Sequence, residues 1–191
     1  LAIYKDLALI VDLEATCWEG YDAPPGQTNE IIEIGICVLD LQTLEIGACE
    51  SLLVKPEASV ISDFCTQLTG ITQAKAEAEG MSFTEACNIL ESRYKSRNRL
   101  WASWGGYDHR MFLAQCKARG IRYPFSDKHV NLKRIFADTY GTRMGLKAAL
   151  EKQSLTMEGR HHSGVDDALN AARVLVTMMR QNAALLRRYG L

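Results

Sequence analysis

The stretch Leu7–Glu14 (LALIVDLE) constrains the fold of this chain more than any other. Its apolar residues run on without alternation up to an acidic end. A strand that is apolar at consecutive positions has both faces covered, as happens when helices pack on both sides of a sheet. Glu30–Asp40 and Leu44–Lys55 are rich in strand-forming residues and are joined by Leu41–Thr43. So short a connection predicts antiparallel neighbours. Gly20–Asn29, with Gly, Pro and Asp, reads as a loop near the carboxyl end of the first strand.

Beyond residue 60 the punctuation becomes helical. Ser62–Thr69 reads as a short helix ended by Gly70, and Thr72 is placed to cap the next. Ser82-Phe83-Thr84-Glu85 has the capping-box pattern and opens a helix to about Tyr94. Arg99–Trp104 reads as a short strand, broken at Gly105-Gly106 before a helix from about Asp108 to Arg119. Asn131–Tyr140, Gly145–Lys152 and Gly164–Tyr189 read as three further helices, the last with an apolar stripe of Val165, Leu169, Ala172, Val176 and Met179. Strands first, then a strand alternating with helices, predicts one α/β domain over residues 1–191, a mixed β-sheet flanked by helices.

Composition narrows the function. The 191 residues are 47% hydrophobic and 24% charged with a net charge of −1, an ordinary globular balance. Such a chain does not coat nucleic acid by bulk charge; it would need a locally positive site, which bound cations can supply. The six cysteines, at 17, 37, 49, 65, 87 and 116, form no C-x-x-C pair and several sit in apolar runs. They read as buried free thiols rather than a zinc site or a disulfide frame. Leu1–Leu9 lacks the pattern of a signal peptide and no apolar run reaches membrane-spanning length. The expectation is an intracellular, cytoplasmic protein with no membrane partner, in a chain whose missing initiator Met reads as trimming.

Chemistry enters with the acids. Asp12 and Glu14 are two apart on a strand, so both side chains leave the same face. Two acids side by side repel and lose hydration, a cost that a divalent cation offsets. Alone, the pair is what any strand end facing water shows. Asp108 follows a strand and a Gly-Gly break; alone it is an ordinary first-turn acid. In Gly159–Ala168, His162 precedes Asp167 by five positions at the start of the last helix; alone these are a surface histidine and an acid favoured by the helix dipole. Together they are four carboxylates and an imidazole. Oxygen-rich sites suit Mg²⁺ or Mn²⁺, paired ions serve phosphodiester hydrolysis, and a histidine is a natural base near neutral pH.

The ordered set of D-x-E in the first strand, an Asp after a later strand, and H-x4-D on the last helix resembles the DEDDh (DnaQ-like) 3′→5′ exonucleases of the ribonuclease H-like superfamily. The likeness is to the subgroup of three-prime histone mRNA exonucleases and their enhanced-RNA-interference relatives. It is carried by Asp12–Cys17, Asn29–Glu33 (NEIIE), Ser62–Cys65, Leu68–Gln73 and His162–Asp167, over residues 8–175. The resemblance implies a ribonuclease H-like fold and two divalent ions, with Asp12 on both, Asp167 on the nucleophile side and Asp108 on the second. It implies that Glu14 binds metal and orients water and that His162 is the general base, leaving His161 and Asp166 without a role. Ser163 stands where the tyrosine subgroup has Tyr, which favours the His type.

By the same resemblance, the backbone at Ala15 and Thr16 and the Leu68 side chain would hold the terminal nucleotide. The substrate would be the 3′ end of single-stranded nucleic acid, RNA favoured over DNA, and the product a nucleoside 5′-monophosphate. Trp18 and Trp104 are candidate stacking residues or core, and Arg143, Lys147 and Arg160 are candidates to meet phosphates that otherwise read as solvated surface. WGGYDHRMF around Asp108 fits the family loosely. The competing reading is a nuclease-fold binding module with little turnover, against which stands the full set of acids and His162.

Overall fold

The computed structural model describes residues 3–20, 22–182 and 188–189. Leu7–Glu14 lies inside a central strand, β1 (Tyr4–Ala15), of a five-stranded sheet ordered β3-β2-β1-β4-β5. β2 (Ile31–Asp40) runs antiparallel to β1, and β3 (Ile46–Leu53) antiparallel to β2, as the short connection predicts. β4 (Arg99–Ser103) runs parallel to β1, and β5 (His129–Asn131) parallel to β4. The mixed ribonuclease H-like sheet is as expected. The three-residue β5 was not, because so short a segment carries no periodicity to read.

The unbroken apolar run in β1 is explained by two cores. Ala8 and Ile10 enter one, with Leu132, Phe136, Leu146 and Leu175, while Leu9 and Val11 enter the other, with Phe83, Leu90 and Phe112. The first core is roofed by α5 (Leu132–Tyr140), α6 (Leu146–Lys152) and α7 (Gly164–Gln181). The second is roofed by α3 (Phe83–Tyr94) and α4 (Tyr107–Arg119). A small third cluster of Ile32, Cys65, Ile71 and Ala76 packs beneath α1 (Asp63–Thr69) and α2 (Gln73–Glu79). The punctuation holds: Ser62 caps α1, Gly70 ends it in the left-handed region, Thr72 caps α2, and Ser82 and Glu85 complete the capping box.

Three expectations are corrected. The apolar stripe of α7 is only partly the one read from sequence: Ala172 and Val176 are buried as expected, whereas Val165, Leu169 and Met179 are half-buried and Ala168, Ala171, Leu175 and Met178 complete the buried face. Small residues face the sheet because α7 comes very close to it; a Cβ on Gly35 of β2 would lie 1.9 Å from the carbonyl carbon of Gly164. The helix ends at Gln181, and its expected continuation to Tyr189 falls mostly outside the described residues. Cys37 and Cys49, expected as free thiols, are joined by a disulfide because the β2–β3 register sets them directly opposite. Cys17, Cys65, Cys87 and Cys116 are free. Among the described residues no helix is long and apolar enough to cross a membrane.

Candidate active site

The carboxyl ends of β1 and β4 and the N-terminal ends of α4 and α7 meet at one edge of the sheet. Asp12 and Glu14 arrive on β1, opposite Gly35 and Glu33 of β2. Asp108 sits in the first turn of α4, carried there because β4 runs parallel beside β1. Asp167 sits in the first turn of α7, on the buried side of the helix. All four carboxylates, with His161 and His162, line one cavity of about 330 Å³. Oxygens of Asp12, Glu14 and Asp167 lie within 4.8 Å of one another. Asp108 is slightly apart, its Oδ1 accepting from the backbone N–H of Leu13 at 3.1 Å.

α7 is pinned so that Asp167 reaches this point. Glu33 accepts the Gly164 backbone N–H through Oε2 at 2.9 Å and the Ser51 hydroxyl through Oε1 at 2.6 Å. A helix N-terminus carries unpaired N–H groups and partial positive charge, so a buried carboxylate there serves as its acceptor. Glu33 belongs to the NEIIE stretch but carried no role in the sequence reading. The available signal was its cross-strand register with Glu14, which only the sheet pairing defines. Glu30 of the same stretch does different work, accepting the Ala58 N–H at 2.8 Å and pairing with Arg119.

The electrostatics are those of an acidic cluster short of cations. Burial and then the neighbouring charges of Asp108, Asp167, Glu14 and Glu33 hold the Asp12 carboxyl well above its usual range. Burial, followed by Glu33, Asp167 and Asp108, pushes Glu14 up to about 8, against a small opposing effect of Arg160. Asp108 is raised by burial despite hydrogen bonds from its own backbone, Ser103 and Leu13. Such a set gains most from a positive charge that can be shared. The donors are carboxylate oxygens, with imidazoles at the rim, which is the chemistry of a hard divalent cation. The residues therefore fit a divalent cation.

Both histidines touch Asp167. The His162 backbone N–H donates to Asp167 Oδ2 at 3.0 Å, and His161 Nδ1 lies 3.1 Å from both carboxylate oxygens. Their rings stack, with centroids 4.0 Å apart. His162 has a φ of 64°, a left-handed conformation unusual for a residue with a side chain and one that recurs at functional sites. Burial, and next the neighbouring His161, lowers the His162 pKa, which leaves a neutral imidazole able to take a proton.

Ala15, Thr16 and Leu68 do not line the carboxylate cavity. Thr16 is fully buried, with its N–H donated to Glu30 O at 2.8 Å and its hydroxyl oxygen accepting the Glu30 N–H at 2.9 Å. Leu68 is tied to the histidine loop through Arg160, whose guanidinium donates to the carbonyls of Gln67 at 2.8 Å and Leu68 at 3.0 Å. Arg160 is thus a strut between α1 and the loop before α7, with its side chain exposed as expected. Trp104 lines the cavity and Trp18 does not.

The chain is similar to known nucleases along nearly its whole length. The Exonuclease (RNase_T) family matches residues 9–175. Human 3′-5′ exoribonuclease 1 is 34% identical over 196 residues, an alignment covering 95% of this chain and 55% of that protein.

This chain belongs to the exonuclease family.

Drosophila melanogaster 3′-5′ exonuclease Snipper is 30% identical over 197 residues, covering 92% of this chain and 70% of the relative. The nuclease domain of 3′hExo, described as a DEDDh family member bound to rAMP, superimposes with a TM-score of 0.84 at 31% identity, covering 95% of each chain. The chain spans about half the length of the mammalian exoribonucleases it matches. Within the family fold, the five side chains singled out from sequence lie on one cavity, and His161 joins them.

Proposed function

We propose that this chain is a 3′→5′ exonuclease that removes nucleoside 5′-monophosphates from the 3′ end of single-stranded nucleic acid, with RNA preferred. The observation that carries the reading is the convergence of Asp12, Glu14, Asp108 and Asp167 with His162 on one cavity. Asp12 would hold both of two divalent cations, Mg²⁺ or Mn²⁺, with Asp167 and Glu14 on the nucleophile side and Asp108 on the other. When bound, such ions activate a water and offset charge on the entering and leaving oxygens of an in-line displacement. Glu14 orients the attacking water by accepting one of its hydrogen bonds. His162, neutral at physiological pH, accepts the proton that this water loses. Its backbone bond to Asp167 keeps the imidazole loop in register with the carboxylates.

Two likenesses support the preference for RNA. Relatives covering nearly all of this chain are named exoribonucleases, and a neighbouring structure is described as holding rAMP. A 2′-hydroxyl contact is the physical basis on which a protein tells the two polymers apart. Incubation with 5′-labelled RNA and DNA of matched sequence, in Mg²⁺ or Mn²⁺, should give a ladder that shortens from the 3′ end, faster for RNA and stopped by EDTA. Absence of hydrolysis on every linear substrate with both metals would leave the binding-module reading, and cleavage of a circular strand would exclude end-dependent action.

A further inference from the structure

Beside the carboxylate cavity lies a second one, of about 490 Å³, between the start of α4 and α5. Arg110, Lys133, Arg134 and Arg143 line it together with Trp104 and Tyr107, and no carboxylate is among its lining residues. Trp104 and Tyr107 also line the carboxylate cavity, so the two adjoin at these rings. We propose that this basic channel receives the single strand upstream of the scissile phosphate, so that the chain binds several nucleotides and not the terminal one alone. The inference rests on the exonuclease reading and adds the path of the substrate.

Three observations favour a polyanionic strand as the occupant. The chain as a whole carries a net charge of −1, so four cations around one hollow are a local departure and not a sample of a basic surface. Among the described residues, Arg134 alone of the four forms an ion pair, a long one of 4.0 Å to Asp138, so little of the positive charge around the hollow is paired with a carboxylate. The adjoining carboxylates repel a phosphodiester chain, and cations placed just outside them compensate along its backbone.

The aromatic residues fit the same occupant. Tyr107 is 49% exposed, an open ring on which a base can stack. Trp104 is fixed by its indole N–H to Met144 O at 3.3 Å and its edge contact with Phe136. Gly105 and Gly106 line the basic cavity without side chains, and Arg110 lies close to where a Cβ on Gly106 would be, 2.9 Å from Nη1. A larger cavity, of about 700 Å³ and lined in part by Arg97, Arg122 and Lys128, shares no residue with the carboxylate site. It does not adjoin the site in this way.

The test is fluorescence anisotropy with labelled single-stranded RNAs of two and twelve nucleotides sharing one 3′ end, in Ca²⁺ and over a salt series, on the native chain and on Arg110→Glu/Arg143→Glu. The native chain should bind the longer RNA more tightly. The double variant should lose about tenfold or more of that advantage and flatten the salt dependence, by about 0.7 in log–log slope for each phosphate that is no longer neutralised. Thermal melting of the variant within error of native confirms that the fold is retained. If the variant keeps the native length advantage and salt slope, the channel assignment is wrong. Hydrolysis of the same RNAs in Mg²⁺ is scored separately. A native chain that shows the length effect without turnover would keep the channel and lose the enzyme, whereas turnover with an unaltered variant would do the reverse.

Discussion

Replacing Glu14 by Gln should make the metal-free protein more stable, although it should disable the site. Glu14 is buried against Glu33, Asp167 and Asp108, and its carboxyl is pushed from 4.5 to about 8. Below about pH 4.5 the group is protonated folded and unfolded, so it costs nothing. Between 4.5 and about 8 the unfolded chain has released the proton and the folded chain retains it, so stability falls as pH rises through that window. At ~1.4 kcal/mol for each pH unit, the loss by pH 7 is at most ~3 kcal/mol, and water entering the cavity reduces it to ~1–2 kcal/mol. Gln keeps the shape without the charge. In EDTA at pH 7.5 the variant should therefore melt ~2–8 °C above the native chain, given ~2–4 °C for each kcal/mol at this size. The two should converge near pH 5. Millimolar Mg²⁺ should raise the native Tm more than that of the variant, narrowing the gap. Scanning calorimetry or circular dichroism over pH 5–8 reads all three effects. A variant less stable than native at pH 7.5 in EDTA, or a difference that does not change with pH, would refute the argument from repulsion.

The remaining predictions concern the other parts of the site. Asp12→Ala and Asp167→Ala should each abolish hydrolysis in a gel assay while the far-ultraviolet spectrum stays native. His162→Ala should lower kcat by ~10²–10⁴, the usual contribution of a general base, while titration calorimetry shows cation binding close to native. An active His162→Ala beside an inactive His161→Ala would move the base to His161, whose Nδ1 already meets Asp167. Gly35→Ala should destabilise by ~3 kcal/mol and reduce activity, because its Cβ would meet the Gly164 backbone at 1.9 Å and displace the helix that bears Asp167. A native Tm for that variant would mean that α7 can shift without penalty.

Much of this was legible in the residues. LALIVDLE announced a strand covered on both faces, and its alternate residues do enter separate cores. The capping residues Ser62, Thr72 and Ser82 were readable because their hydrogen bonds are made within three positions. Asp12, Glu14, Asp108, His162 and Asp167 could be singled out by order and spacing, and they share a cavity. The failures have a common character. Cys37 bonded to Cys49, Glu33 beneath the start of α7, and Arg160 reaching α1 all depend on partners far along the chain. The face of α7 was legible only in part because Ala168 and Ala171, buried in the first core, weigh little in any hydrophobic pattern.

By itself the sequence determined the local terms: which segments are strands and helices, where they start, and which acids and histidines are available for chemistry. These follow from backbone preferences and from contacts a few residues apart, which any reader of the chain can enumerate. Tertiary structure alone decided how the parts meet. It set β4 parallel beside β1 so that Asp108 joins Asp12, brought α7 onto Gly35 so that Asp167 turns inward, and gathered four cations beside an acidic site in a chain of nearly zero net charge. The reason is that burial and electrostatics act through space, and their magnitude is fixed only when distant residues share one low-dielectric neighbourhood.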